Sequence, residues 1–95
     1  MSSSDLSLMS SYTVSVGNAR PVRVKNFRDA RSVVAEAITS LMARDPEAVA
    51  RSAMTVNLAF NSGAVEHSLT AHGQWSVTVT VHGEPVPIAV RKHRW

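Results

Sequence analysis

The chain has 95 residues, 44% of them apolar and 18% charged, with a formal net charge of +3. That length supports one modest core, and the balance of apolar to charged residues excludes collagen-like, mucin-like and fully disordered chains. The absence of cysteine excludes disulfides, thiolate-bound zinc, iron–sulfur clusters and a cysteine nucleophile, and it fits a cytoplasmic protein.

The segment MSSSDLSLMSS at residues 1–11 has no basic start and no apolar run long enough for a signal peptide, so it reads as a disordered N-terminal tail. No stretch of the chain approaches the roughly eighteen apolar residues of a membrane-spanning helix. A single α+β domain is expected over residues 12–95.

From Tyr12 the pattern has period two, with Tyr12, Val14 and Val16 alternating with serine and threonine, as a half-buried strand requires. Gly17-Asn18 forms a turn, and after Pro21 a second strand sets Val22 and Val24 opposite to Arg23 and Lys25, giving a hairpin. Asn26 can cap a helix over about residues 27–44, where Ala30, Val33, Val34, Ala37, Ile38, Leu41 and Met42 recur along one face. Asp45-Pro46-Glu47 starts a second helix, with Asp45 as its cap.

Beyond Ala53 two periods compete. The alternation of Met54, Val56, Leu58 and Phe60 with Thr55, Asn57, Ala59 and Asn61, ended by Asn61-Ser62-Gly63, favours a short helix to about residue 53 and then a strand over 54–61. Val65, His67 and Leu69 then continue as a further strand. Trp75, Val77, Val79 and Val81 form the next, His82-Gly83-Glu84-Pro85 turns the chain, and Val86, Ile88 and Val90 return. Pro85 and Pro87 cannot donate to a sheet ladder, which leaves one side of the last strand unpaired at its start and places it near a sheet edge. The expected fold is an antiparallel twisted sheet of four to six strands with one long and one short helix on one face, in the order β-β-α-α-β-β-β.

Charge is unevenly distributed. Arg20, Arg23, Lys25, Arg28 and Arg31 face only Asp29 within residues 20–31, and Arg91-Lys92-His93-Arg94 follows the last strand. Residues 32–90 hold Arg44 and Arg51 against Glu36, Asp45, Glu47, Glu66 and Glu84. The planar guanidinium suits bidentate contact with phosphate, so Arg23, Lys25, Arg91 and Arg94 would form one basic surface if the second and last strands share a side of the sheet. Strand faces lack the outward aromatic pair of an RNA-recognition sheet.

Catalytic signals are missing. There is no G-x-S-x-G elbow and no phosphate-cradling glycine loop, and His67, His72, His82 and His93 have no spacing that completes a metal set. Asp29 and Glu36 are read as an exposed helix face. No catalytic residue, metal or cofactor is expected. Tyr12, Phe27, Phe60 and Trp75 are spaced as core anchors, and Trp95 follows the basic run as a docking or contact aromatic.

These features predict a small non-enzymatic regulatory or accessory module, homodimeric, binding a protein or nucleic acid through a basic hairpin and C-terminal tail. The binding residues are Arg20, Arg23, Lys25, Arg28, Arg31, Arg91, Lys92, Arg94 and Trp95. An alternative comes from resemblance: a strand, two helices and a strand meander ending in basic residues is similar to the RelE/ParE toxins, with Arg91, Arg94 and Trp95 matching. That resemblance implies a small ribonuclease acting on mRNA through those residues. The additional N-terminal strand, the prolines of the last hairpin and helices without a basic run depart from it.

Overall fold

The computed structural model describes residues 10–94; of the tail expected over 1–11, residues 1–9 lie outside these, as does the terminal Trp95, while Ser10 and Ser11 belong to the first strand. The chain runs β1 (Ser10–Val16), β2 (Val22–Val24), α1 (Phe27–Arg44), α2 (Pro46–Asn61), α3 (Ala64–His72), β3 (Gln74–Val81) and β4 (Glu84–Arg94). The four strands form one antiparallel sheet in the order β2-β1-β4-β3. The α+β class is as expected. β1 begins at Ser10, two residues before the expected start at Tyr12.

α1 forms as its periodicity requires. The Asn26 Oδ1 accepts the Asp29 backbone N–H at 2.8 Å, satisfying one of the donors that a helix start leaves unpaired. Ala30, Val34, Ile38 and Leu41 are buried on one stripe. Pro46 opens α2, but Asp45 does not cap it with its side chain. The Asp45 carboxylate instead accepts the His82 N–H at 2.9 Å, tying the α1–α2 junction to the β3–β4 turn. In that turn His82 and Gly83 have φ of 51° and 79°, the pair of positive values that matches a tight hairpin to strand twist.

Residues 54–61 are helix and not strand, and the segment from Val65 to Leu69 is also helix. Both alternations are half of a helical pattern. Val49, Val56 and Phe60 turn inward on α2, while Met54 and Leu58 remain 75% and 68% exposed. In α3, Val65 and Leu69 lie four apart and are buried, and His67 between them is exposed. Alanines at 48, 50, 53, 59, 64 and 71 lower the cost of extending the helices. Gly63, at φ 84°, ends α2 and redirects the chain into α3, so the turn expected at Asn61-Ser62-Gly63 joins two helices. The sheet accordingly has four strands and the order is β-β-α-α-α-β-β.

The core lies between sheet and helices. Val14, Val79, Ile88 and Val90 from the strands meet Val34, Val49, Val56, Val65 and Leu69 from the helices. Each such side chain contributes about 1.5–3 kcal/mol when fully buried. Four aromatic rings cross this layer as a chain: Tyr12 to Phe27 at 6.1 Å, Phe27 to Phe60 at 5.7 Å, and Phe60 to Trp75 at 5.5 Å.

β4 occupies the middle of the sheet and is not near an edge. It pairs with β3 from Glu84 onward and with β1 from Ile88 to Arg94, so the basic run 91–94, expected to follow the last strand as a tail, is the paired end of that strand. Pro85 and Pro87 stand opposite Thr80 and Thr78. Because neither nitrogen can donate, the bonds between β3 and β4 run through Glu84, Val86, Ile88 and Val90. The alternate residues of β4 bond toward β1, and the Pro87 carbonyl accepts the Gly17 N–H at 2.7 Å. Among the described residues, one side of the strand is unpaired at its start, as expected, apart from this loop contact. The edges belong to β2 and β3.

Candidate functional site

Residues directly opposite each other in an antiparallel sheet point to the same face. Arg23 pairs with Thr13, Thr13 with Arg91, and Arg91 with Gln74, so the four form one transverse row. Tyr12 and Val14 point into the core, which puts the row on the face away from the helices. Arg23 and Arg91 are both exposed. Their backbones lie two strands apart, about 10 Å at ordinary sheet spacing. Thr13 separates them, so two like charges never stand directly opposite.

His93 lies two residues beyond Arg91 on the same face, and its Nε2 shares a hydrogen bond of 3.0 Å with the Thr13 Oγ1. Opposite His93 stands Ser11, whose Oγ is buried and has no hydrogen-bond partner among the described residues. The remainder of the face is Ser15, Ser76, Thr78, Thr80, Pro85, Pro87 and Ala89. Among the described strand residues, none that turns to this face is aspartate or glutamate.

The expected binding residues fall into separate groups. Arg20 lies exposed in the β1–β2 connection, Lys25 exposed between β2 and α1, and Arg28 exposed in the first turn of α1. Arg31 is on the helix side. Its Nη2 donates to the Asn61 Oδ1 at 2.7 Å, and its guanidinium carbon sits 5.3 Å from the Phe60 ring centre. Lys92 has the opposite parity to Arg91 and turns toward the helices, with its Nζ 6.0 Å from the centre of the Tyr12 ring. Arg94 pairs with Ser10 through the backbone, and Trp95 lies outside the described residues. Arg23 and Arg91 are thus brought together on the sheet, while Arg31 and Lys92 serve as cationic rims of the aromatic chain.

Thr13 and Gln74 were not singled out by sequence reasoning, and His93 entered only as part of the basic run and as one of four histidines that complete no metal set. Parity alone would have attached His93 to Arg91, two residues away on one strand; Thr13 and Gln74 enter only through cross-strand register. On the helix side, a groove of about 240 Å³ lies between α1 and α2, lined by Val34, Ile38, Ala53, Val56 and Phe60 with Arg31 at its rim. No described helix is long and apolar enough to cross a membrane, and no group of three or more His, Cys, Asp or Glu among the described residues could hold a metal ion. No protein-family model, curated protein or solved structure matches the chain.

Proposed function

We propose that the chain is a non-enzymatic interaction module, acting as a homodimer, that binds nucleic acid through the face of its sheet turned away from α1, α2 and α3. The observation that carries this reading is the row Arg23–Thr13–Arg91–Gln74 on a face whose described strand positions include no carboxylate. Such a face attracts polyanions, and arginine can grip a phosphate through two parallel N–H donors. Hydroxyl and amide groups at Thr13, Ser15, Gln74 and Ser76 add neutral donors for phosphate and sugar oxygens. Arg20 and Lys25, exposed on either side of β2, extend the contact along the hairpin. Among the described strand residues no Phe, Tyr or Trp turns to this face, which favours backbone contact over base stacking, so binding is expected to tolerate changes of sequence.

The test is fluorescence anisotropy of a random-sequence oligonucleotide titrated with the full chain at several salt concentrations. Contact with about four phosphates gives a log–log slope near −3 to −4. Binding that is absent at low salt, or that ignores salt, would overturn the proposal. Cleavage of the oligonucleotide during the titration would replace it with the ribonuclease alternative.

A further inference from the structure

The two edges of the sheet are built differently. β2 has three residues, follows Pro21, and carries Arg23 with Lys25 just beyond; short length, proline and charge all discourage another strand from adding. β3 has eight residues, QWSVTVTV, with neither charge nor proline. The bonding phase imposed by Pro85 and Pro87 directs the backbone N–H and C=O groups of Gln74, Ser76, Thr78 and Thr80 away from β4. The Gln74 carbonyl is taken by the Ser68 hydroxyl at 2.6 Å. Among the described residues no backbone hydrogen bond outside the ladders engages Ser76, Thr78 or Thr80, and all of these are exposed.

We propose that this edge pairs antiparallel with the same edge of a second copy, about a two-fold axis at Thr78, joining two sheets into one. The inference rests on the homodimeric module proposed above and names its interface. With Thr78 opposite its own copy, Ser76 meets Thr80, so every outward backbone group at these residues gains a partner while the Gln74 carbonyl stays with Ser68. On the face turned away from α1, α2 and α3 the new cross-strand pairs are Thr–Thr and Ser–Thr. On the other face Val77 meets Val79 and Trp75 meets Val81. Because the strand is uncharged, no like charges oppose each other anywhere in the pairing, and two-fold symmetry supplies a matching strand without a second gene product.

The experiment is size exclusion with light scattering on the full chain, followed by dilution to find the dissociation midpoint. Wild-type protein is expected at twice the monomer mass. Thr78→Pro removes an outward N–H and no ladder bond, and it should give a monomer with unchanged far-UV circular dichroism. Thr78→Lys sets two ammonium groups opposite each other and should raise the dissociation constant at least about tenfold. Mixing Thr78→Lys with Thr78→Glu should restore the dimer, an outcome that misfolding cannot produce. A wild-type monomer at about 100 μM, where a dimer with functional affinity would be assembled, overturns the inference, as does a dimer whose midpoint ignores Thr78→Lys. Oligonucleotide binding by the Thr78→Pro monomer separates the two proposals: binding that survives in a monomer leaves the nucleic-acid reading standing when the dimer fails, and a dimer that binds no oligonucleotide does the reverse.

Discussion

The same strands present two surfaces of opposite character. Val14, Val79, Ile88 and Val90 are fully buried toward the helices, while their neighbours Thr13, Thr78, Thr80 and Arg91 look outward from the surface that none of the described helices covers. Period-two alternation achieves this separation without any long-range instruction. The inward surface holds the fold together through packing and the aromatic chain. The outward surface contributes little to stability, which frees its residue types for contact with another molecule.

Substitutions should divide along that boundary. Phe60→Ala is expected to have the largest effect, because Phe60 touches both Phe27 and Trp75. Its loss should cost about 3–5 kcal/mol, read as a lower midpoint in urea. Val79→Thr keeps the shape but buries a hydroxyl at a fully buried position, with an expected cost of about 1–3 kcal/mol. Its counterpart Ser15→Val, on the open face opposite Ala89, should stay within about 0.5 kcal/mol of wild type. Equal costs for these two changes would erase the distinction between the faces. Asp45→Ala removes the acceptor for the His82 N–H and should lower stability by about 1 kcal/mol, seen in thermal unfolding. Arg91→Ala should leave the unfolding midpoint almost unmoved, weaken oligonucleotide binding, and reduce the salt slope by about 1.

The sheet and α1 were legible because each rests on one uninterrupted period and local turn chemistry. Asn26 before the stripe of Ala30, Val34 and Ile38 identified α1 with its cap, and Gly83 identified the last hairpin. Residues 54–61 misled because Met54 and Leu58 are apolar yet exposed, which lent a helix the alternation of a strand. β4 misled for a different reason. Two prolines argue for an edge when both sides of a strand must be paired throughout, but β1 joins β4 only from Ile88. Of the site, the basic residue types were legible from composition. Their division was not: which face Arg91 and Lys92 occupy depends on the phase of β4, and the proximity of Arg23 to Arg91 depends on β1 lying between β2 and β4.

Pro85 and Pro87 also act on the search for the native pairing. A hairpin slipped by one residue would aim both imide nitrogens at β3 carbonyls that then find no donor, and would swing Ile88 and Val90 into water. Two ring closures in a single strand thereby make the competing alignment expensive at the outset of zippering, an error check encoded where no contact with a binding partner is required.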